Sequence, residues 1–243
     1  MQTKTASNPP LDFPRPLVTV DIAIFTVLER QLHVLLVRRP DNNNEPFPGS
    51  WALPGGFIDL AKDMTLEACA LRKLYEKTGV TTPYLEQLGS WGGVQRDPRG
   101  WSATHAYFAL IQAGAIQLQK GGNAQEAGWH PVQSAVEIPI LAFDHKLILN
   151  AATERMRLKV EYTSLPAYLL IEPFTIPQLQ QVYEIVLGRP VDKSGFRTRA
   201  LAANFLQEVG VMNVGAPRPA SVYKIKDRSR VTYFPRSLMQ KQA

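Results

Sequence analysis

Residues 53–80, LPGGFIDLAKDMTLEACALRKLYEKTGV, constrain this chain more than any other stretch. Two glycines, Gly55 and Gly56, stand before a segment in which Leu66, Ala70 and Leu74 recur at helical spacing. Lys77 and Gly79 then supply a last-turn cation and a helix-ending glycine. The pattern predicts a glycine turn feeding a helix over about residues 65–78, with its apolar stripe in the core. Arg72, Lys73, Glu76 and Lys77 fall on the polar part of that helix. Arg72 and Glu76, four apart, are compatible with an ordinary surface pair, and the two lysines with solvated charges. The string as a whole, from W-A-L-P-G-G-F at 51–57 to K-T-G at 77–79, is more specific than any of those pairs.

That string resembles a Nudix box. The family pattern is Gly, five residues, Glu, seven residues, then Arg-Glu-apolar-x-Glu-Glu-x-Gly-apolar. Gly56, Arg72, Leu74, Glu76, Gly79 and Val80 fit it, whereas Lys62, Lys73 and Lys77 stand where glutamates belong. Fifteen residues separate Gly56 from Arg72 instead of the family's thirteen. The resemblance implies a pocket for a pyrophosphate, which relatives cut with water and divalent metal, usually magnesium. Magnesium takes oxygen ligands, chiefly carboxylates and waters, and lowers the pKa of the attacking water. An ammonium group has donors and no lone pair, so it cannot coordinate a cation. Lys73 and Lys77 instead offer positive charge to phosphates. The expectation is a pocket that binds without cutting and needs no cofactor. Residual hydrolysis stays open through Asp59, Asp63 and Glu67, which the longer spacing can re-aim.

At 243 residues and 27.1 kDa, with 45% hydrophobic residues, the chain suits one large globular domain or two ordinary ones. No apolar run approaches the length that spans a bilayer. The polar, proline-rich residues 1–16 lack a signal-peptide core and are expected to be a flexible arm. Cys69 is the only cysteine, so no intrachain disulfide forms. Its place in the predicted helix marks it as core rather than nucleophile. A cytoplasmic location and no membrane partner follow.

Charge divides the chain. Residues 1–155 hold 14 Lys and Arg against 15 Asp and Glu, and residues 156–243 hold 13 against 6. A small part of net charge +7 beside a near-neutral one points to a polyanion partner, with a solvated basic surface as the plain alternative.

Alternation over residues 18–38 predicts two strands about a turn at 29–31. Strands are expected over 85–94 and 102–110, with the loop QRDPRGW at 95–101 between them, then a shorter strand pair over 116–129. A helix over 141–158 closes the first domain, which is assigned to residues 1–158. In residues 159–243, Thr175-Ile176-Pro177 starts a helix that Gly188 stops. A second helix is expected over 193–209, supported by Phe196, Ala200, Leu201, Ala203 and Phe205. A hairpin over 211–226 follows, with Arg218 between two prolines at its tip. Helix, turn, helix, hairpin is the order of a winged helix-turn-helix, whose second motif helix enters the DNA major groove. Lys193, Ser194, Arg197, Thr198 and Arg199 open that helix, where free N–H groups also attract phosphate. Arginine pairs bidentately with guanine or phosphate. These residues and Arg218 are the candidate DNA contacts. The fold class is α+β: a Nudix α/β/α sandwich with a C-terminal winged helix-turn-helix.

The whole chain from Val18 onward is similar to the NrtR family, Nudix-related transcriptional regulators of NAD metabolism. The stretches that carry this are G-G-F-I-D at 55–59, L-R-K-L-Y-E-K-T at 71–78, R-D-P-R-G-W-S at 96–102, L-A-F-D-H at 141–145, E-P-F-T-I-P-Q-L at 172–179 and S-G-F-R-T-R at 194–199. The resemblance implies a homodimer on a palindromic double-stranded operator, repressing genes of NAD synthesis or salvage. It also implies ADP-ribose as effector. The implied ligand pocket comprises Arg38 or Arg39, the Gly55-Gly56-Phe57 turn and the loop from Asp97 to Arg99. Trp51, Phe57 or Trp101 is available to stack on adenine, and core packing remains open for Trp51 and Phe57. The alternative is an ADP-ribose pyrophosphatase with an unusual metal site.

Overall fold

The computed structural model describes residues 14–81, 84–115, 126–139, 141–213 and 219–234. Most of the expected arm, Gly215, Pro217, Arg218 and residues 116–125 lie outside them.

The first domain is built on β1 (Leu17–Leu28) and β2 (Gln31–Arg38). They form an antiparallel hairpin about Glu29 and Arg30, both at positive φ. Short strands β3 (Trp51–Ala52) and β4 (Gly55–Phe57) come next, followed by α1 (Leu66–Thr78). Long β5 (Tyr84–Asp97) and β6 (Gly100–Leu110) follow, and then β7 (Glu126–Pro131). Helices α2 (Val132–Glu137) and α3 (His145–Val160) complete the domain. β1 runs parallel to β6, and β5 pairs antiparallel to β6, putting β1 at the centre of a mixed sheet.

Strand alternation assigns the two faces. Val20, Ile22 and Ile24 turn towards Cys69, Ala70 and Leu74 of α1. Ala23 and Phe25 turn the other way, towards Ile148, Leu149 and Ala152 of α3. The sheet therefore lies between helices, an α/β/α sandwich. The α1 stripe is the one read from sequence, and Gly79 ends the helix as expected. Thr65 accepts the Ala68 N–H, and Gly79 takes the left-handed conformation at φ 69°.

β1 pairs with β2 only over its last residues, from Phe25, and with β4 earlier, over Thr19–Asp21. β2 meets β3 beyond that point, at Val37 and Arg38. The segment from β3 through Leu53 and Pro54 to β4 thus bridges two strands where they part. This opening becomes the cavity.

The second domain follows α3 directly. A 3-10 turn (Leu165–Leu169) leads to β8 (Phe174–Thr175), α4 (Ile176–Leu187), α5 (Lys193–Ala202), β9 (Leu206–Met212) and β10 (Ala220–Ile225). The strands form a small sheet in the order β8, β10, β9. α4 begins on a capping box between Thr175 and Gln178 and ends at Gly188, φ 70°. Tyr183 and Phe196 meet edge to face at 5.0 Å, packing α4 against α5.

Several boundaries differ from the sequence reading. β5 continues to Asp97, leaving only Pro98 and Arg99 between the strands, because bulges near Gly89 and Gly93 absorb the irregular pattern. The helix expected from 141 starts at His145, after Phe143 at φ 57°. α5 stops at Ala202 instead of reaching 209. Asn204 turns left-handed at φ 57°, and Phe205 and Leu206 are buried at the start of β9, so the hairpin opens earlier than predicted. The domain core is continuous with that of the first domain through α3, α4 and the ring pair Tyr84–Tyr168, 5.3 Å apart.

Candidate functional site

A cavity of about 340 Å³ opens where β1 and β2 part. Of the ligand residues taken from the sequence, Arg38, Arg39, Gly55, Gly56, Phe57, Lys73, Lys77, Asp97 and Arg99 line it together. Trp51 is outside the lining. Strand alternation sends Ala52 towards the cavity and Trp51 to the other face, where it meets His130 edge-on at 4.5 Å. Trp101 is also outside; its ring lies against Gly92 on the neighbouring strand.

The glycine turn is shaped by what approaches it. A side chain on Gly55 would start well inside 3.0 Å of Asp21 Oδ1 and the Val20 carbonyl oxygen. Gly56, at φ 142°, faces Lys73, whose Nζ lies 3.2 Å from where a Cβ would stand. These glycines let β4 close on β1 and let backbone form the cavity wall.

The floor is a buried charge network that the sequence reading missed. Arg96 donates from Nη2 to Asp21 Oδ2 at 2.7 Å and from Nε to Asp144 Oδ1 at 2.9 Å. His145 Nδ1 accepts the Leu53 N–H at 2.9 Å, which puts the ring proton on Nε2, 3.4 Å from Asp21 Oδ2. Burial pushes the Asp21 carboxyl up, but His145 and Arg96 outweigh it and hold the group below its ordinary range. Asp21, Arg96, Phe143 and His145 all line the cavity. Arg96 and the L-A-F-D-H stretch had been singled out without being assigned to the pocket. Sequence carries no sign that Asp21, 75 residues before its partner Arg96, joins them.

Around this floor, Asp97 accepts from the Arg99 backbone N–H and guanidinium at 2.8 to 3.0 Å. Burial raises the Asp97 carboxyl, yet Arg99 holds it below its usual value. Arg99 also lies over the Phe57 ring, 5.2 Å from its centroid. Arg39 pairs with Glu45 at 2.8 Å and lies over Phe143 at 5.0 Å. The Arg38 Nε donates to the Gly49 carbonyl. Exposed aromatic edge and fixed guanidinium groups suit a ligand with both a flat ring and phosphates.

The acids that magnesium would need do not converge. Asp63 accepts two bonds from Arg72, which hold its carboxyl far below the usual range. Asp59 pairs with Lys62 at 3.1 Å. Glu76 accepts from Arg72 at 2.9 Å, with Lys73 3.8 Å away. Among the described residues, no three His, Cys, Asp or Glu side chains assemble as a metal-holding group. The donor set does not fit magnesium. Cys69 is buried beside this network; burial first, then its bond to Asp63, pushes the thiol up to about 11.

The second candidate surface is α5. Asp192 caps it by accepting the Gly195 N–H, and Phe196 and Ala200 anchor it in the core. Lys193, Ser194, Arg197 and Thr198 consequently face solvent. Thr198 Oγ1 donates to the Ser194 carbonyl. Arg199 is half-buried and folds back along the helix, its guanidinium nitrogens 3.1 Å from where a Gly195 side chain would begin. This orientation differs from the outward contact expected of it. Arg218 lies outside the described residues.

Residues 17–151 match the model of the Nudix domain, and residues 166–225 match that of the NrtR DNA-binding winged helix domain. Fold, cavity and exposed helix thus define a Nudix domain fused to a DNA-binding winged helix. The ADPR responsive transcriptional repressor NtrR of Acinetobacter baylyi is 44% identical over 227 residues, covering 93% of this chain and 89% of that protein. The crystal structure of Shewanella oneidensis NrtR complexed with a 27mer DNA is similar with a TM-score of 0.80 at 42% identity, covering 90% of this chain and 98% of that one. The NUDIX domain of the same protein complexed with ADP ribose is similar with a TM-score of 0.55 at 46% identity, covering 62% and 94%. The chain belongs to the NrtR family.

Proposed function

We propose that this protein is a transcriptional repressor that binds operator DNA through α5 and senses ADP-ribose in the β1–β2 cavity. The observation that carries the reading is one chain holding both a cationic, phosphate-suited cavity and an exposed basic recognition helix. Similarity to a repressor named as ADPR responsive, and to relatives complexed with DNA and with ADP ribose, supports each half.

The cavity binds rather than cuts. Lysines stand at three glutamate positions of the box, and Asp59, Asp63 and Glu76 are each paired with arginine or lysine. Arg38, Arg39, Arg99, Lys73 and Lys77 take the diphosphate together with the glycine turn, and Phe57 offers its ring to adenine. Lys193, Ser194, Arg197 and Thr198 meet the major groove, and Arg218 meets backbone or minor groove from the wing. The division between the two functions falls near residue 158. The protein acts as a homodimer in the cytoplasm, on half-sites about one helical turn apart. Its targets are genes of NAD synthesis or salvage.

ADP-ribose favours another placement of the winged helices, so DNA affinity falls, and DNA weakens ADP-ribose binding by the same factor. A coupling of about 1–3 kcal/mol changes affinity roughly 5–150-fold. Fluorescence anisotropy of DNA from upstream of this gene and of neighbouring NAD genes, titrated with and without ADP-ribose, tests the reading. Selective binding that weakens with ADP-ribose is expected. Operator affinity unchanged while ADP-ribose binds the protein overturns the sensing mechanism. Absence of selective binding, with magnesium-dependent release of AMP and ribose 5-phosphate, returns the chain to the hydrolases.

A further inference from the structure

We infer that Glu45 is an affinity-setting residue of the cavity. Its carboxylate occupies Arg39 and Arg99 until an anionic effector displaces it, and the loop that carries it is released in the exchange. The inference rests on the effector reading above and deepens it.

Glu45 belongs to the loop 39–50 between β2 and β3, and it lines the cavity. Its Oε2 accepts from Arg39 Nη2 at 2.8 Å and lies 3.9 Å from Arg99 Nη1. One carboxylate oxygen thus stands between two guanidinium groups that line the cavity from separate parts of the chain. A phosphate oxygen would seek the same position for the same charge. The Arg39 side chain is 18% exposed and that of Glu45 29%, so the pair is shielded from bulk solvent and reached from the cavity.

The rest of the loop hangs on neighbouring contacts. Arg39 Nε donates to the Pro46 carbonyl at 2.7 Å, and Arg38 Nε donates to the Gly49 carbonyl at 3.1 Å. Phe47 meets Phe143 edge to face at 4.8 Å. Its backbone stands at φ 55°, a conformation that a bulky side chain adopts only at a cost. Residues 41–44 face solvent. At the neck, the Arg39 N–H donates to the Ser50 carbonyl at 2.9 Å and the Gly49 N–H to the Pro40 carbonyl at 3.3 Å. A phosphate that takes the Arg39 guanidinium removes the partner of Glu45 and the donor to Pro46 together. The backbone bonds of the neck keep the ends of the loop in place while residues 41–48 move as one piece.

A site whose arginines are already engaged binds an anion only in the fraction of molecules where Glu45 has let go. Removing the Glu45 charge removes that penalty. Glutamine keeps the shape and leaves a neutral hydrogen bond, weaker than the ionised one.

The test is isothermal titration of the full chain with ADP-ribose, for wild type, E45Q and E45A, with amide hydrogen exchange of residues 41–49 in the wild type. Both variants are expected to bind ADP-ribose at least about threefold more tightly, the change that loss of a partly exposed ion pair provides. Exchange of the 41–49 amides in the wild type is expected to speed up when ADP-ribose binds. Either variant serves alone if the other fails to fold, judged by melting temperature. Unchanged or weaker affinity in the folded variants overturns the inference and makes Glu45 a ligand contact or a bystander. Tighter binding with loop exchange unchanged or slowed also overturns it, because Glu45 would then repel the ligand without yielding its place. Absence of ADP-ribose binding by all three proteins overturns the effector reading itself, and this inference with it.

Discussion

Gly55 and Asp21 face each other across the β1–β4 pairing, and each fixes a part of the cavity wall that the other depends on. A methyl group at Gly55 must displace either the Asp21 carboxylate or β1 backbone. Gly55→Ala is therefore expected to cost about 1–3 kcal/mol, the range for overpacking a tight contact. Urea unfolding measures the cost, and unaltered stability would show that β4 has slack the structure does not display. Asp21 supplies a pH dependence whose sign is fixed. Its carboxyl titrates below the ordinary value of 3.8 in the folded chain, where His145 and Arg96 prevail over burial. Its stabilising contribution is thus complete above that ordinary value and is lost as pH falls through the lower, folded one. Asp21→Asn is expected to lower stability at pH 7 by on the order of 2–3 kcal/mol, as for a hydrogen bond to a charged group. The gap between variant and wild type narrows as pH falls below the ordinary value of 3.8. Unfolding curves at pH 7 and at about pH 3 check this, and a gap that stays constant would assign the loss to packing instead.

At the level of elements, α5 separates two arginines that look equivalent in the string S-G-F-R-T-R. Arg197 is exposed, whereas Arg199 folds back over Gly195. Arg197→Ala is expected to lessen the salt dependence of operator binding, with the log–log slope falling by about 1 for each lost phosphate contact. Anisotropy titrations across a salt series read this directly; an unchanged slope with relaxed sequence preference would instead put Arg197 on a base edge. The same helix shows what a sequence can and cannot disclose. Its start was legible because the cluster from Lys193 is a local signal. Its end was not, since Asn204 adopts a left-handed conformation and Phe205 is drawn into the sheet by tertiary packing. The cavity divides in the same way. Gly55, Gly56, Phe57, Lys73 and Lys77 belong to one contiguous string, and Arg38, Arg39, Asp97 and Arg99 came from resemblance. Asp21 and His145 reach the floor only because β1 lies against β4 and α3 begins beneath Leu53. Trp51 stayed open between stacking and core packing because a period-two strand turns neighbouring residues to opposite faces, and the sequence does not say which faces the opening.

Across the whole molecule, α3 is the element common to both sites. His145, its first residue, lies at the cavity floor, and its far end packs on α4, with Glu161 and Arg189 joined at 3.1 Å beyond it. Asp144 precedes α3 yet makes no side-chain cap to it, because its carboxylate is held by Arg96. Arg96 also lines the cavity, so a diphosphate there competes with Asp144 for one guanidinium. A phosphate that took the Arg96 guanidinium would leave the Asp144 carboxylate available to first-turn N–H groups of α3, whose positive end favours a carboxylate. The effector's differential interaction with two arrangements of α3 is what a shift in the winged helix requires. Asp144→Asn weakens the hold on Arg96 without removing a DNA or ligand contact. It is expected to leave operator and ADP-ribose affinities each within about threefold of wild type, while the effector-dependent change in operator affinity falls below about twofold, as a loss of coupling energy alone. The measurement is the ratio of operator dissociation constants with and without saturating ADP-ribose, taken for both proteins at one salt concentration. A variant that keeps the full ratio would place the transmission outside the Arg96–Asp144 pair. A variant that loses ADP-ribose binding would make Asp144 part of the site's support, and the coupling would then have to run through another contact of α3.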